Sequence, residues 1–304
     1  MTEHEHPYAS QAYAAALCAM EGRIGFLETL GIWVEINRIP ESDAYDARGV
    51  YPFSPSLQQT GQETLQDELR ALGLVSLVLV TDALEDQPDT LLAAFDVRRS
   101  YKEHFTYRPG SVQTEFSANN QRYLRRARRR CQFRDIDLVD HFDEWIALYD
   151  HLIRRHGLTG RHQFSHTYMK HLAQSGRFDA IGAFFDGRLI GCQTWLTHNG
   201  CAYGHIGASN DEGYRHGAAF GLYGHAIEKY AGCRELDLGG APDRERVPGG
   251  LSSFKSGFAN GRRSNFLLGS IADPSQYDAL CRLHKATPRQ EGFFPAYRGP
   301  ATLS

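Results

Sequence analysis

No stretch of the 304-residue chain is long and apolar enough to span a bilayer. The longest apolar run lies around Leu72–Val80 and is interrupted by Ser76. It falls far short of the roughly 20 residues a membrane helix needs and reads as a core strand. The N-terminus, Met1-Thr2-Glu3-His4-Glu5-His6, lacks the basic-then-apolar order of a secretory signal. The 6 cysteines stand at 18, 131, 192, 201, 233 and 281 and form no C-x-x-C pair, which argues against a zinc ribbon or a redox motif. They read as reduced thiols in a reducing compartment, so a cytoplasmic protein with no transmembrane segment is expected. G-x-S-x-G, Walker A and dinucleotide-binding glycine patterns are missing. Excess charge is missing too. The net value of -3 gives no reason to expect a nucleic-acid coat protein, no DNA partner is expected, and an anionic partner must meet a local patch.

What is present is ordinary globular composition, 41% hydrophobic and 23% charged, on a chain long enough for one large domain or two. The first hundred residues are mixed. Gln11–Met20 and Gln62–Leu72 are helix-prone, Ile32–Ile36 and Leu74–Thr81 are strand-prone, and Glu41–Ser56, with Gly49, Pro52 and Pro55, reads as a loop. Asn119–Arg130 is basic and helix-permissive. Then follow a strand at Gln132–Val139, helices at His141–His156 and Ser165–Ala173, and β-prone runs at Ala180–Phe185, Leu189–Leu196 and Cys201–Ala208. Asp186-Gly187 and Asn199-Gly200 join those three runs and are strong hairpin signals. The periodicity predicts a helix from Tyr214 to Ala231, a short strand at Glu235–Leu238, a helix at Leu251–Ala259 and a strand at Phe266–Ile271. The tail, Glu291–Ser304, reads as loop with no clear element beyond Phe293-Phe294. No internal repeat is visible.

From Gln132 onward this order of elements resembles the GNAT acyltransferase fold, and the wording of particular segments resembles the FemABX and FemAB-like group. Asn120-Gln121-Arg122-Tyr123-Leu124-Arg125-Arg126-Ala127-Arg128 is similar to the basic helix that precedes the second GNAT unit there. Gly204-His205-Ile206-Gly207-Ala208-Ser209 followed by Tyr214 resembles the fourth strand and its turn. Leu236-Asp237-Leu238-Gly239-Gly240, Gly250-Leu251, Phe254-Lys255 and Gly257-Phe258 are similar to the strand–glycine–FK signature. The resemblance covers roughly the last two-thirds of the chain. It implies an α+β fold, a GNAT-like mixed sheet flanked by helices. It also implies residues 119–304 as the catalytic unit and residues 1–118 as a reduced first GNAT-like unit in a tandem arrangement.

The resemblance further implies an enzyme that passes an acyl or aminoacyl group to an amine, with no permanently bound cofactor. Phe254 and Lys255 are then expected beside the reacting carbonyl, where an ammonium stabilises an oxyanion. Lys255 otherwise reads as a surface lysine beside a core phenylalanine. Tyr203 and His205 share one face of a strand from which such sites take a base or a water-holding group, although a core histidine is the commoner meaning. Asp237 is a further polar candidate, or a cap on the glycine turn that follows it. Tyr214-Arg215-His216-Gly217-Ala218-Ala219 lines up with the loop that binds the coenzyme A pyrophosphate at a helix N-terminus. Tyr214 stands where the motif has Gln or Arg, so either a pyrophosphate turn or a closely packed helix start is expected.

Seven arginines lie within Arg122–Arg134 with no acid next to them in the helical segment, and Arg122, Arg125, Arg126 and Arg129 fall near one helical face. A charge run usually marks a solvated face, but arginine without acids suits bidentate phosphate contacts. The expected donor is aminoacyl-tRNA, with acyl-CoA as the alternative and a non-catalytic phosphate-binding module as the third possibility. A peptidoglycan precursor, an exopolysaccharide amine or a natural-product intermediate would serve as acceptor. His162, His166 and His171 have metal-like spacing but no well-placed carboxylate, and no metal is expected.

Overall fold

The computed structural model describes residues 5–18, 22–111, 115–159, 163–240, 250–287 and 292–299. In chain order the early elements are helix α1 (Gln11–Leu17), strands β1 (Arg23–Leu27), β2 (Ile32–Arg38) and β3 (Tyr45–Gly49), and helix α2 (Gln62–Ala71). Strand β4 (Leu74–Val80), helix α3 (Asp89–Leu92) and strand β5 (Val97–Tyr107) follow. Next come α4 (Ala118–Arg130), β6 (Gln132–Ile136), α5 (Phe142–His156), α6 (His166–Gln174), β7 (Asp179–Phe185), β8 (Arg188–His198) and β9 (Cys201–Ser209). The last are α7 (Asp211–His216), α8 (Ala218–Lys229), β10 (Glu235–Gly240), α9 (Gly250–Ser256), β11 (Gly261–Ile271) and α10 (Pro274–Leu283).

The chain divides into two compact units, one made of Met1–Tyr101 with Ser264–Ser304, the other of Lys102–Arg263. The division expected between residues 118 and 119 is therefore placed differently, and the C-terminal 41 residues, 264–304, return to the first unit. The reason is visible in that unit's packing. The second half of β11 pairs antiparallel with β4, from Leu267↔Val80 to Ile271↔Ser76. Tyr277, Leu280 and Phe294 bury their apolar area against Ile39 and Val75, at roughly 1.5–3 kcal/mol for each large side chain removed from water. Arg298 Nη2 donates to the buried Asp46 carboxylate at 2.7 Å, and the Tyr297 hydroxyl donates to it at 3.0 Å.

Those contacts also account for β3, which lies where a loop was expected. Ala47 faces the apolar core, Asp46 holds the Tyr297–Arg298 segment, and the strand pairs with β2 and runs parallel to β4. Neither β1 nor α10 was anticipated, although Asp273 and Pro274 supply a regular N-cap and first-turn pair.

The second unit is a mixed sheet in the order β5-β10-β9-β8-β7-β6. Strands β6 to β9 form an antiparallel meander, β9 and β10 are parallel, and β10 and β5 are antiparallel. Helix α8 lays Leu222, Ala226 and Ile227 on one face of this sheet, over Trp195, Leu236 and Leu238. The first unit repeats the order of pairing. Its meander β1-β2-β3 is followed by a helix, a parallel partner β4 and an antiparallel strand β11. The expected helix Tyr214–Ala231 is in fact two. Gly217, at φ 74°, ends α7 and begins α8, a backbone conformation that costs a side chain roughly 1–2 kcal/mol.

Candidate active site

Parallel strands β9 and β10 pair only at Glu235↔Cys201, Leu236↔Ala202 and Asp237↔Tyr203. Beyond Asp237 the two strands take different partners. Strand β9 stays with β8 as far as Gly191↔Ser209, while β10 shifts register against β5 and ends at Gly240↔His104. Where the pairing stops, polar side chains gather within a well-packed unit.

Asp237 is 5% exposed, and both its carboxylate oxygens face His104, Oδ2 at 2.8 Å and Oδ1 at 3.0 Å from Nδ1. The Gly239 N–H donates to Oδ1 at 2.7 Å. Burial pushes the Asp237 carboxyl upward. The His104 ring, the Gly239 N–H and the Lys255 ammonium outweigh that push and hold it below the usual carboxylate range. Lys255, on α9, donates from Nζ to the Gly240 carbonyl at 2.9 Å. Gly239 has φ 86°, and a Cβ there would stand 2.6 Å from Lys255 Nζ, so the ammonium lies flush on the turn. The structure thus brings together two expected residues, Asp237 and Lys255, and adds His104. No local signal marked His104, because its partner is 133 positions away.

Phe254 belongs to an aromatic cluster, with its ring centroid 4.8 Å from both Tyr223 and Phe220 and 5.3 Å from Phe258. The α9 segment is fastened to the start of α4. Asn120, 1% exposed, donates from Nδ2 to the Phe254 carbonyl at 2.8 Å, and the Ser117 N–H donates to the Gly257 carbonyl at 2.9 Å.

Tyr203 is buried beside Asp237 as its register partner. His205 is held by the Tyr168 hydroxyl, 2.7 Å from its Nε2, and by the Phe178 ring. Burial pushes the His205 pKa down to about 3, which disfavours the protonated ring. His104 and Lys255 both meet Asp237 or the turn that follows it.

At the Gly217 turn, Tyr214 points outward. Its hydroxyl meets His156 Nε2 at 3.1 Å and its ring carries the Arg155 guanidinium at 4.2 Å. His216 stacks on Phe185. Gly217 is half-buried, Ala218 is buried, and Ala219 and Arg215 are exposed. The Arg215 carbonyl accepts a hydrogen bond from Arg126 Nη2 at 3.2 Å, which seats α4 beside this turn.

Arg122, Arg125, Arg126 and Arg129 are all exposed on the face of α4 opposite Asn120, Leu124 and Ala127, which are buried. The hydrogen bonds of Arg122, Arg125 and Arg126 go to Asn119, Gln121 and the Arg215 carbonyl, none of them a carboxylate. Arg128, off that face, does have an acid, Glu228 at 2.5 Å. The stripe is therefore positive charge left uncompensated by the acids described around it. His162 lies outside the described residues, and His166 Nε2 meets Asp150 at 3.1 Å.

Residues 114–247 match the acetyltransferase (GNAT) domain family. The second unit, which holds that match, has a GNAT-like fold, a mixed sheet flanked by helices. Across the chain the fold is shared with the solved structure of FemX, at 13% identity and a TM-score of 0.62, covering 91% of this chain and 95% of that one. The structure of L-PGS from Bacillus licheniformis is similar in the same way, at 14% identity and a TM-score of 0.60, over 89% and 91% of the two chains. No curated protein sequence matches the chain. The expected resemblance to FemAB-like GNAT transferases is met in the fold. Among the described residues no helix is long and apolar enough to cross a membrane.

Proposed function

We propose that the protein forms an amide bond by moving an aminoacyl group from aminoacyl-tRNA to an amine of a cell-envelope or natural-product precursor. The observation that carries this reading is the α4 stripe. Four exposed arginines without carboxylate partners lie along one helix beside the Gly217 turn, and phosphate is the ligand that planar, acid-free guanidinium groups suit. Tyr214, committed to Arg155 and His156, gives no support to a coenzyme A loop at the position where that motif carries Gln or Arg. Lys255 would stabilise the oxyanion formed as the amine attacks the ester, with Phe254 helping to exclude water, and a fixed cation there lowers the transition state more than the ground state. Because the first unit repeats the pairing order of the second, it reads as a reduced GNAT half.

Acyl-CoA transfer is the second reading. It is favoured by Gly217, whose positive φ opens α8 with Ala218 and Ala219 at its first positions. Mass spectrometry of candidate amines incubated with charged tRNA or with acetyl-CoA separates the two. With charged tRNA, Arg122→Glu plus Arg126→Glu should weaken donor binding and reduce the slope of log affinity against log salt by about 1.5, as two phosphate contacts are lost. Unchanged binding and slope would reduce the stripe to a solvated face. Product from acetyl-CoA alone would overturn the tRNA reading.

A further inference from the structure

Helix α4 carries one aromatic residue among its arginines, Tyr123, and the fold supplies it with a partner from α8. The rings of Tyr123 and Phe220 stack at 4.7 Å with 20° between their planes, and both side chains are half-buried. One face of Tyr123 is given to Phe220, so the Arg122 guanidinium, 4.9 Å from the ring centroid, takes the other. Arg122 is exposed, and its hydrogen bond goes to the equally exposed Asn119 at 3.1 Å. A surface cation–π contact and one exposed hydrogen bond are weak ties, and a ligand with a flat face can displace them. Arg126 stands one turn further along α4, about 6 Å away along the axis, at the Arg215 carbonyl beside the Gly217 turn. In the other direction the row of rings continues. Phe220 meets Phe254 at 4.8 Å and 85°, and Lys255 is the next residue in the chain. A π surface flanked by guanidinium groups without carboxylate partners suits a nucleobase together with its phosphate, since every base has a π face to stack.

We propose that Tyr123, backed by Phe220, stacks the last, unpaired base of the donor tRNA. The proposal rests on the reading of the donor as aminoacyl-tRNA. The base takes the place of the Arg122 guanidinium on the ring, and Arg122 turns to the phosphate of the same nucleotide. The acyl ester sits on the ribose of that nucleotide, so the row Tyr123, Phe220, Phe254 leads from the base towards Lys255. Tyr123 is on this view a positioning residue. It touches the donor but not the reacting atoms, and it fixes where the ester comes to rest.

The test titrates the intact chain with an RNA hairpin of acceptor-stem form whose last unpaired base is the fluorescent purine 2-aminopurine, and with a matched hairpin whose last nucleotide lacks a base. Wild type should quench the fluorescence and bind the first hairpin about fivefold to a hundredfold more tightly than the abasic one, the usual scale for one stacked base. Tyr123→Leu should remove both the preference and the quenching. Tyr123→Phe, which keeps the ring, should restore them. A leucine that merely loosens α4 weakens both hairpins alike and leaves the preference in place. A preference that survives in Tyr123→Leu, or none in wild type, therefore overturns the proposal while RNA binding, and with it the donor reading, stands. Binding of neither hairpin overturns the donor reading and this proposal together, whether or not coenzyme A binds.

Discussion

Replacing Lys255 tests whether the proposed site carries out chemistry. Its ammonium donates to the Gly240 carbonyl at 2.9 Å and favours the ionised form of the Asp237 carboxylate. Lys255→Ala removes the hydrogen bond that this half-buried cation donates to Gly240, worth roughly 1.5–3 kcal/mol before compensation. Release of the side chain returns up to about 2 kcal/mol of rotamer entropy, so the net loss of stability should be about 1 kcal/mol or less. The effect on turnover should be far larger. Losing one donor to a developing oxyanion costs about a hundredfold to a thousandfold, or about 2.7–4 kcal/mol, because the interaction strengthens only as charge develops.

Lys255→Arg should rescue poorly. The ammonium lies so close to the turn that a Cβ at Gly239 would be 2.6 Å from it, which leaves no room for a planar guanidinium at the same point. The assay is single-turnover transfer with saturating donor, read beside a urea unfolding midpoint for each variant. Near-normal turnover in Lys255→Ala would refute the assignment. So would a loss of turnover matched by an equal loss of folding free energy, which would make the lysine a structural tie.

Gly217→Ala places a side chain at φ 74° with Phe220 at an ordinary 3.7 Å, so strain acts without a clash, and urea unfolding should show a loss of about 1–2 kcal/mol. Asp237 and Glu235 are both held below their ordinary pKa, Asp237 chiefly by His104 and Glu235 by Arg108, Thr106 and Arg263, in each case against the upward push of burial. A depressed carboxyl stabilises the fold above its unfolded pKa of about 4, and the contribution is lost as pH falls through the folded value. Urea midpoints should therefore drop from neutral pH to about pH 3, and Asp237→Asn should shrink that drop; an unchanged drop would show that Asp237 contributes nothing to it.

Local chemistry made the meander legible. Asp186 and Gly187 have φ 47° and 75°, and Asn199 and Gly200 have φ 46° and 72°, the doubly positive pair that a two-residue hairpin turn demands. The basic helix was legible from its own periodicity and begins with Ser117 as its cap. What stayed hidden depends on partners distant in the chain. Strand β3 is short, and what secures it is Arg298 and Tyr297, some 250 residues on. The break at Gly217 hides inside a helical periodicity that continues on both sides of it. The pairing of His104 with Asp237 needs two strands to lie side by side, and nothing in Lys102-Glu103-His104-Phe105 announces that.

The stripe and the turn answer to one piece of packing. Asn120 is the residue of α4 that faces α9. Its amide holds the Phe254 carbonyl, and a Cβ on Gly257 would stand only 2.5 Å from its side chain. The Ser117 N–H closes the same joint on the Gly257 carbonyl. A phosphate gripped by Arg122 or Arg126 would therefore be registered against Phe254 and Lys255 by short, buried bonds rather than by a loop. Acyl transfer gains most from this kind of fixed spacing. Holding the ester within reach of both ammonium and amine converts an encounter into an intramolecular step, and a misplacement of about 1 Å can cost about a hundredfold. On this reading the helix that binds the donor also sets the position of the carbonyl to be attacked.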